Sequence, residues 1–187
     1  MLTPRQRMLF TNIYSDFLAE GFSHFTVDGA ASKYQCSKAT IYALGKSRDD
    51  IVRRVLVAYF QEIGRRTDAV INSARTSHQA LTAYFNEMAV ATAPASAQFW
   101  ADMAGDKVAT DVYSFNTKAA VERITRLIKA GISSGEFRAA DPDFIATMID
   151  AAMFRIQNAK LPNGVSTPEA YSELGKLVLN GISAERK

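Results

Sequence analysis

The chain has 187 residues, 48% of them apolar and 22% charged, with a net charge of +3. Those proportions belong to a globular chain with one core or two small ones, and they exclude disorder, collagen-like repeats and a disulfide scaffold. The charge is uneven: residues 1–66 hold ten Lys/Arg against six Asp/Glu, whereas 67–187 hold twelve against thirteen. A polyanionic partner for the first third is the simplest reading of that asymmetry.

Helix signals run the whole length. Thr3-Pro4-Arg5-Gln6 combines a cap, a proline at the first helical position and a glutamine that closes a capping box. Leu9, Phe10, Ile13, Phe17 and Leu18 follow at helical spacing, and Gly21 ends this first helix. Phe22 and Phe25 are expected to fold back beneath it. A short helix from about Val27 to Lys33 is capped by Thr26; after the turn Tyr34-Gln35-Cys36, a second runs from about Ser37 to Leu44. Ser47-Arg48-Asp49-Asp50 opens a long helix to about Arg66, with Ile51, Val55, Leu56, Tyr59, Phe60 and Ile63 on its apolar face.

Beyond it the spacing predicts helices at about 77–91, 95–104 and 112–134, the last ended by Gly135. Asp141-Pro142 opens another to about Ala159, and Thr167-Pro168-Glu169 opens a final one. No strand pair is convincing. The expected fold is all-α, about nine helices, with a small N-terminal helical unit and a larger C-terminal one.

The residues that could carry chemistry are few. His24 and His78 each lack the glutamate three positions earlier that a di-iron bundle uses. There is no Cys-x-x-Cys, zinc ligand set or glycine-rich phosphate loop, so no metal, cofactor or catalytic set is expected. Asp102 and Asp106 lie one helical turn apart near Trp100 and Met103. Paired carboxylates can serve acid–base chemistry, but Lys107 among them favours a solvated helix face. Cys36 reads as a small buried hydrophobe, and as the only cysteine it cannot form an internal disulfide. The longest uncharged run, Met88 to Ala101, is fourteen residues, too short for the roughly 20 that a membrane helix needs. No apolar stretch with a cleavage site follows Arg5 and Arg7, so a reducing cytoplasm is the expected compartment.

The segment Thr26 to Ile51 is more specific. Two short helices joined by a three-residue turn beneath a longer helix make a helix-turn-helix arrangement. Helices this short bury little alone and need support from the first and fourth helices. The second begins Ser37-Lys38-Ala39-Thr40-Ile41-Tyr42: small, polar or basic residues that suit a major groove, with Ile41 and Leu44 as inward anchors.

Phe25-Thr26-Val27, Ser37-Lys38-Ala39-Thr40-Ile41-Tyr42 and Ser47-Arg48-Asp49-Asp50-Ile51 resemble the tetracycline-repressor-like (TetR) family of bacterial transcriptional regulators, over about 50 residues. Ala31, Tyr42, Arg48 and Ile51 match the family spacing; Gln35 stands where a turn glycine is usual, and Gly45 where a phenylalanine is. Ala130-Gly131 through Gly135-Glu136-Phe137 to Asp141-Pro142 is a weaker likeness. The resemblance implies a DNA-binding domain in residues 1–48, a connecting helix over about 48–66, and effector binding and dimerisation in 49–187. Thr26, Tyr42, Lys46 and Arg48 then hold phosphates, Lys38 reaches guanine or phosphate, and Ser37, Ala39 and Thr40 face the groove.

In the C-terminal part the family places an effector cavity between helices. Tyr84, Phe85, Met88, Phe99, Trp100, Met103, Tyr113, Phe115, Met153 and Phe154 are its candidates, with Gln157 and Asn158 as polar contacts; ordinary core is the competing reading. The last two helices carry the small residues Ala151, Ala152, Gly175 and Gly181, and in the family such helices form the dimer interface. The reading is a homodimeric repressor released from a palindromic operator on double-stranded DNA by a small molecule, with no membrane role. An all-α enzyme using Asp102 and Asp106, or a helical interaction module, is the alternative.

Overall fold

The computed structural model describes residues 2–158, 161 and 164–184. Among these the chain is all-α. Nine helices follow one another: α1 Pro4–Glu20, α2 Val27–Lys33, α3 Lys38–Tyr42, α4 Arg48–Ser73, α5 Ser77–Thr92, α6 Ala97–Gly105, α7 Lys107–Ser133, α8 Pro142–Gln157 and α9 Thr167–Ile182. One isolated antiparallel bridge, Phe137 to Ser183, is the sole extended pairing among the described residues.

Local chemistry sets most boundaries. Thr3 accepts from the Gln6 N–H while the Gln6 side chain accepts from Thr3, and Gly21 at φ 81° ends α1. Ser166, not Thr167, caps α9, in a reciprocal box with Glu169. Two long helices exceed their expected lengths. Helix α4 continues past Arg66 to Ser73 because its polar residues there bond to neighbouring helices: Arg66 to Glu87 at 2.5 Å and Arg123 to Asp68 at 2.7 Å. Helix α7 begins at Lys107, five residues earlier than the apolar stripe suggests, because Asp106 accepts from the N–H groups of Val108 and Ala109. Helix α8 ends at Gln157 with Asn158 as its cap; Ala159, the expected end, lies outside the described residues.

Packing groups the chain differently from the sequence boundary at residue 48. The first compact unit contains residues up to Phe60 together with Pro94–Tyr113; the second contains Gln61–Ala93 and the residues from Ser114 onward. The first unit is built on Leu9, Ile13, Phe17, Phe22, Ile41, Ile51, Leu56 and Phe99, all buried. Helix α6 packs on α1 in this unit, and the Ser96 N–H donates to the Leu18 carbonyl at 2.8 Å. In the second unit α5 and α9 form the main packed pair, with α8 against α9. Gly175 permits that approach: a Cβ there would stand 2.6 Å from the Phe85 Cβ.

Candidate nucleic-acid interface

Helices α2 and α3 are too short to stand alone, and the contacts that hold them explain their rigidity. At the end of α2, Lys33 reaches Asp16 at 2.7 Å and Glu20 at 3.1 Å on α1, and the Tyr34 hydroxyl donates to Asp16. Burial and that carboxylate both push the Tyr34 phenol above its ordinary range. The turn closes as a Schellman motif: Cys36 N–H returns to the Ala31 carbonyl and Gln35 N–H to that of Ser32. Gln35 therefore adopts φ 48°, the left-handed position usually given to glycine. Cys36 is half-buried in this turn, more accessible than the buried hydrophobe expected.

Helix α3 is anchored from inside by Ile41 and Leu44. Arg54 on α4 donates to the Leu44 carbonyl at 2.9 Å and covers the Phe10 ring, so the C-terminal side of α3 is satisfied. Gly45 makes the next turn possible, since a Cβ there would meet the Ile51 nitrogen at 2.8 Å. A phenylalanine at that position has no room in this arrangement.

The outward side carries most of the predicted DNA-binding residues. Ser37, Lys38, Ala39, Tyr42 and Lys46 are exposed, with Tyr42 at 47%, which rules out a core role for that ring. Thr26 and Ser37 are N-caps, accepting from Gly29 N–H at 3.0 Å and Thr40 N–H at 3.2 Å. Thr40 also hydrogen-bonds Ser37 through its hydroxyl. The Lys38 ammonium pairs with Asp28 on α2 at 2.7 Å.

Arg48 is placed differently from the rest. Its guanidinium donates to Asp106 at 2.7 Å and to the Phe22 carbonyl at 3.2 Å, and it is mostly buried. Burial opposes its charge, but Asp106 and Asp49 outweigh that and raise its pKa. This geometry fixes α4 to the α1–α2 corner.

The carboxylates read as a solvated helix face are structural. Asp102 is buried and accepts from the N–H groups of Phe22 and Ser23 at 2.5 and 2.8 Å and from the Gln98 amide at 2.7 Å. Burial alone would raise its pKa; the Ser23 and Phe22 N–H groups and Gln98 hold it below the usual carboxylate value. Sequence reading missed Asp102, Asp106, Arg54 and Asp28 in these roles. Their partners lie up to 80 residues away, and no periodic pattern signals such pairs.

The predicted effector residues fall in both units. In the first, Phe99, Trp100, Met103 and Tyr113 are buried. Phe99 packs edge-on against Trp100 at 5.2 Å, Tyr59 at 5.1 Å and Phe22 at 5.8 Å. Trp100 Nε1 and the Tyr59 hydroxyl are buried without a hydrogen-bond partner among the described residues. In the second unit Tyr84, Phe85, Met88, Met153 and Gln157 are buried, and the Gln157 amide donates to the Tyr171 hydroxyl at 2.5 Å. Phe115 and Phe154 face outward, 80% and 51% exposed. Asn158 caps α8 and donates to the Phe154 carbonyl. Among the described residues no cluster of metal-ligating side chains occurs, and no helix is long and apolar enough to cross a membrane.

No protein-family model matches the chain, and no curated protein matches it in sequence. Solved structures do match its fold. A putative transcriptional regulator from Saccharomonospora viridis, in complex with choline, aligns with a TM-score of 0.76 at 17% identity, over 97% of this chain and 98% of that one. A TetR/AcrR-family regulator from Thermobifida fusca gives 0.73 at 18% identity, over 96% and 98%. The ketosteroid transcriptional regulator KstR2 of Mycobacterium tuberculosis gives 0.66 at 17%, over 99% and 98%. The fold is that of the TetR-family regulators.

Proposed function

We propose that this protein is a DNA-binding transcriptional regulator, a homodimeric repressor released from a palindromic operator by a small molecule. The observation that carries the reading is the exposed face of α3. Lys38, Ala39 and Tyr42 project from a helix whose other side is locked by Ile41, Leu44 and Arg54. A rigid short helix with small and basic outward residues is what major-groove reading requires. Residues 1–48 read DNA in this proposal, and 49–187 dimerise and sense the effector. Thr26, Tyr42 and Lys46 contact phosphates. Arg48 acts from within, holding the reading helices in place. A DNA partner puts the protein in the cytoplasm.

Dimerisation is supported by the apolar residues that α8 and α9 leave outside. Phe144, Met148 and Phe154 on α8 and Leu177 on α9 are exposed large hydrophobics, and covering them with a second copy would remove them from water. The effector reading narrows to the aromatic cluster of the first unit. A buried donor without a partner costs roughly 1–3 kcal/mol, so Trp100 Nε1 and the Tyr59 hydroxyl favour a ligand that brings hydrogen-bond acceptors on an apolar frame. The choline-bound regulator of the same fold supports a small-molecule site. The enzyme alternative is disfavoured because Asp102 and Asp106 are occupied in capping and ion pairing.

Selection of bound sequences from random DNA tests the reading. A palindrome with half-sites about one helical turn apart, roughly 34–36 Å, is expected. No enrichment of any sequence overturns it.

A further inference from the structure

We propose that Asp28 sharpens DNA discrimination by holding Lys38 away from the duplex at non-matching sites. The proposal rests on the DNA-binding reading above. Asp28 lies in the first turn of α2 and Lys38 is the first residue of α3. Their charged groups stand 2.7 Å apart across the two helices, on side chains 70% and 62% exposed. Asp28 suits the positive end of α2, and it also pairs with the one lysine of α3, on the face that the reading above assigns to DNA.

An ion pair this exposed is weak and screened by salt, so the ammonium can leave Asp28 for another acceptor. What it meets decides the outcome. Non-specific binding is almost wholly phosphate electrostatics. There Lys38 exchanges one anion for another, while the uncovered Asp28 faces like charge, and little is gained. At a matching site Lys38 can reach the O6 and N7 acceptors of a guanine, which repel Asp28 less and reward the exchange. Asp28 thus weakens non-specific binding more than specific binding, which is discrimination by an unfavourable contact.

The test is a four-protein cycle on the full chain: wild type, Asp28→Asn, Lys38→Ala and the double variant. Binding is measured by fluorescence anisotropy against a duplex selected from random DNA and a scrambled duplex of equal length, from 50 to 200 mM KCl. Asp28→Asn is expected to tighten the scrambled duplex roughly 3- to 5-fold at low salt and the selected duplex less than about 2-fold. With Lys38→Ala in place Asp28 is uncovered throughout, so Asp28→Asn is still expected to tighten the scrambled duplex more than the selected one. Equal tightening on both duplexes, an effect lost in Lys38→Ala, or no effect overturns the role of Asp28 and leaves the DNA-binding reading standing. Wild-type protein that binds neither duplex overturns the DNA-binding reading itself.

Discussion

Arg48 Nη1 stands 2.7 Å from Asp106 Oδ2, joining the start of α4 to the start of α7 across 58 residues of sequence. Each was legible in the sequence as something else, the arginine as a phosphate clamp and the aspartate as part of a solvated face. Together they form a mostly buried ion pair, with the Phe22 carbonyl as a further acceptor. Removing one partner of such a pair leaves the other charge poorly compensated, which costs more than the pair contributes.

Arg48→Ala and Lys46→Ala are therefore expected to differ in kind. Arg48→Ala lowers stability by about 1–3 kcal/mol, seen as a fall of several degrees in the thermal midpoint. Lys46→Ala leaves the midpoint unchanged and flattens the salt dependence of DNA binding by about one unit. If Arg48→Ala folds with wild-type stability and reproduces the Lys46→Ala salt slope, Arg48 is a phosphate clamp after all.

Asp102 makes stability depend on acid. Its folded pKa is depressed, so its contribution is fully present above the unfolded value of about 3.9 and is lost as pH falls through the lower folded value. Asp102→Asn keeps one acceptor and loses the charge. Its urea midpoint should lie below that of wild type at pH 7, with the gap closing below about pH 4. A gap that is constant from pH 7 to pH 3 would show that the carboxylate charge plays no part.

How much was legible follows from where the information lay. The caps Thr3 and Ser37, the stop at Gly21 and the short helix α2 are local events, written within four residues of sequence. The anchors Ile41 and Leu44 follow from helical spacing alone. The end of α4 was hidden because Arg66 and Asp68 look like a solvated terminus, yet their partners Glu87 and Arg123 sit on other helices. The support behind α2 and α3 was hidden for the same reason, since Asp102 caps the backbone of Phe22 and Ser23. Long-range polar pairs leave no period in a sequence.

Gln35 gives a local test of the turn. A non-glycine residue at φ 48° is strained by roughly 1–2 kcal/mol, partly offset in Gln35→Gly by the greater freedom of glycine in the unfolded chain. Gln35→Gly should raise stability by up to about 1 kcal/mol, and Gln35→Val should lower it by at least that much, because a β-branched residue fits this region worst. Chemical denaturation of the three proteins decides the matter. Equal midpoints would mean that the turn is not held in this conformation.

Assembly can be tested at Leu177. It is 73% exposed on α9, whereas Ile149, also on the closing helices, is buried in the protomer and would report on folding instead. Leu177→Glu should stay folded and sediment as a monomer at concentrations where wild type is expected to be the proposed dimer, since a seam that excludes water cannot hold an unpaired carboxylate. A monomeric wild type at micromolar concentration overturns the proposed dimer through α8 and α9.

The proposed switch requires differential binding: an effector would release DNA only if it favoured the DNA-incompetent arrangement. Trp100 is the only tryptophan, so its emission reports on the aromatic cluster without a label. That cluster runs from Trp100 through Phe99 to Phe22, and Phe22 N–H is bonded to Asp102 at the corner preceding α2. A ligand that accepts from Trp100 Nε1 can therefore disturb the reading helices through directly packed side chains. An apolar compound carrying a hydrogen-bond acceptor should shift Trp100 emission and weaken operator binding, by roughly 5- to 150-fold for a coupling of about 1–3 kcal/mol. Trp100→Phe keeps an aromatic ring and loses the donor. It should bind the same compound roughly 3- to 10-fold more weakly, the worth of one hydrogen bond, while still binding the operator. If compounds that release the operator leave Trp100 emission unchanged and act equally on Trp100→Phe, the effector binds outside this cluster.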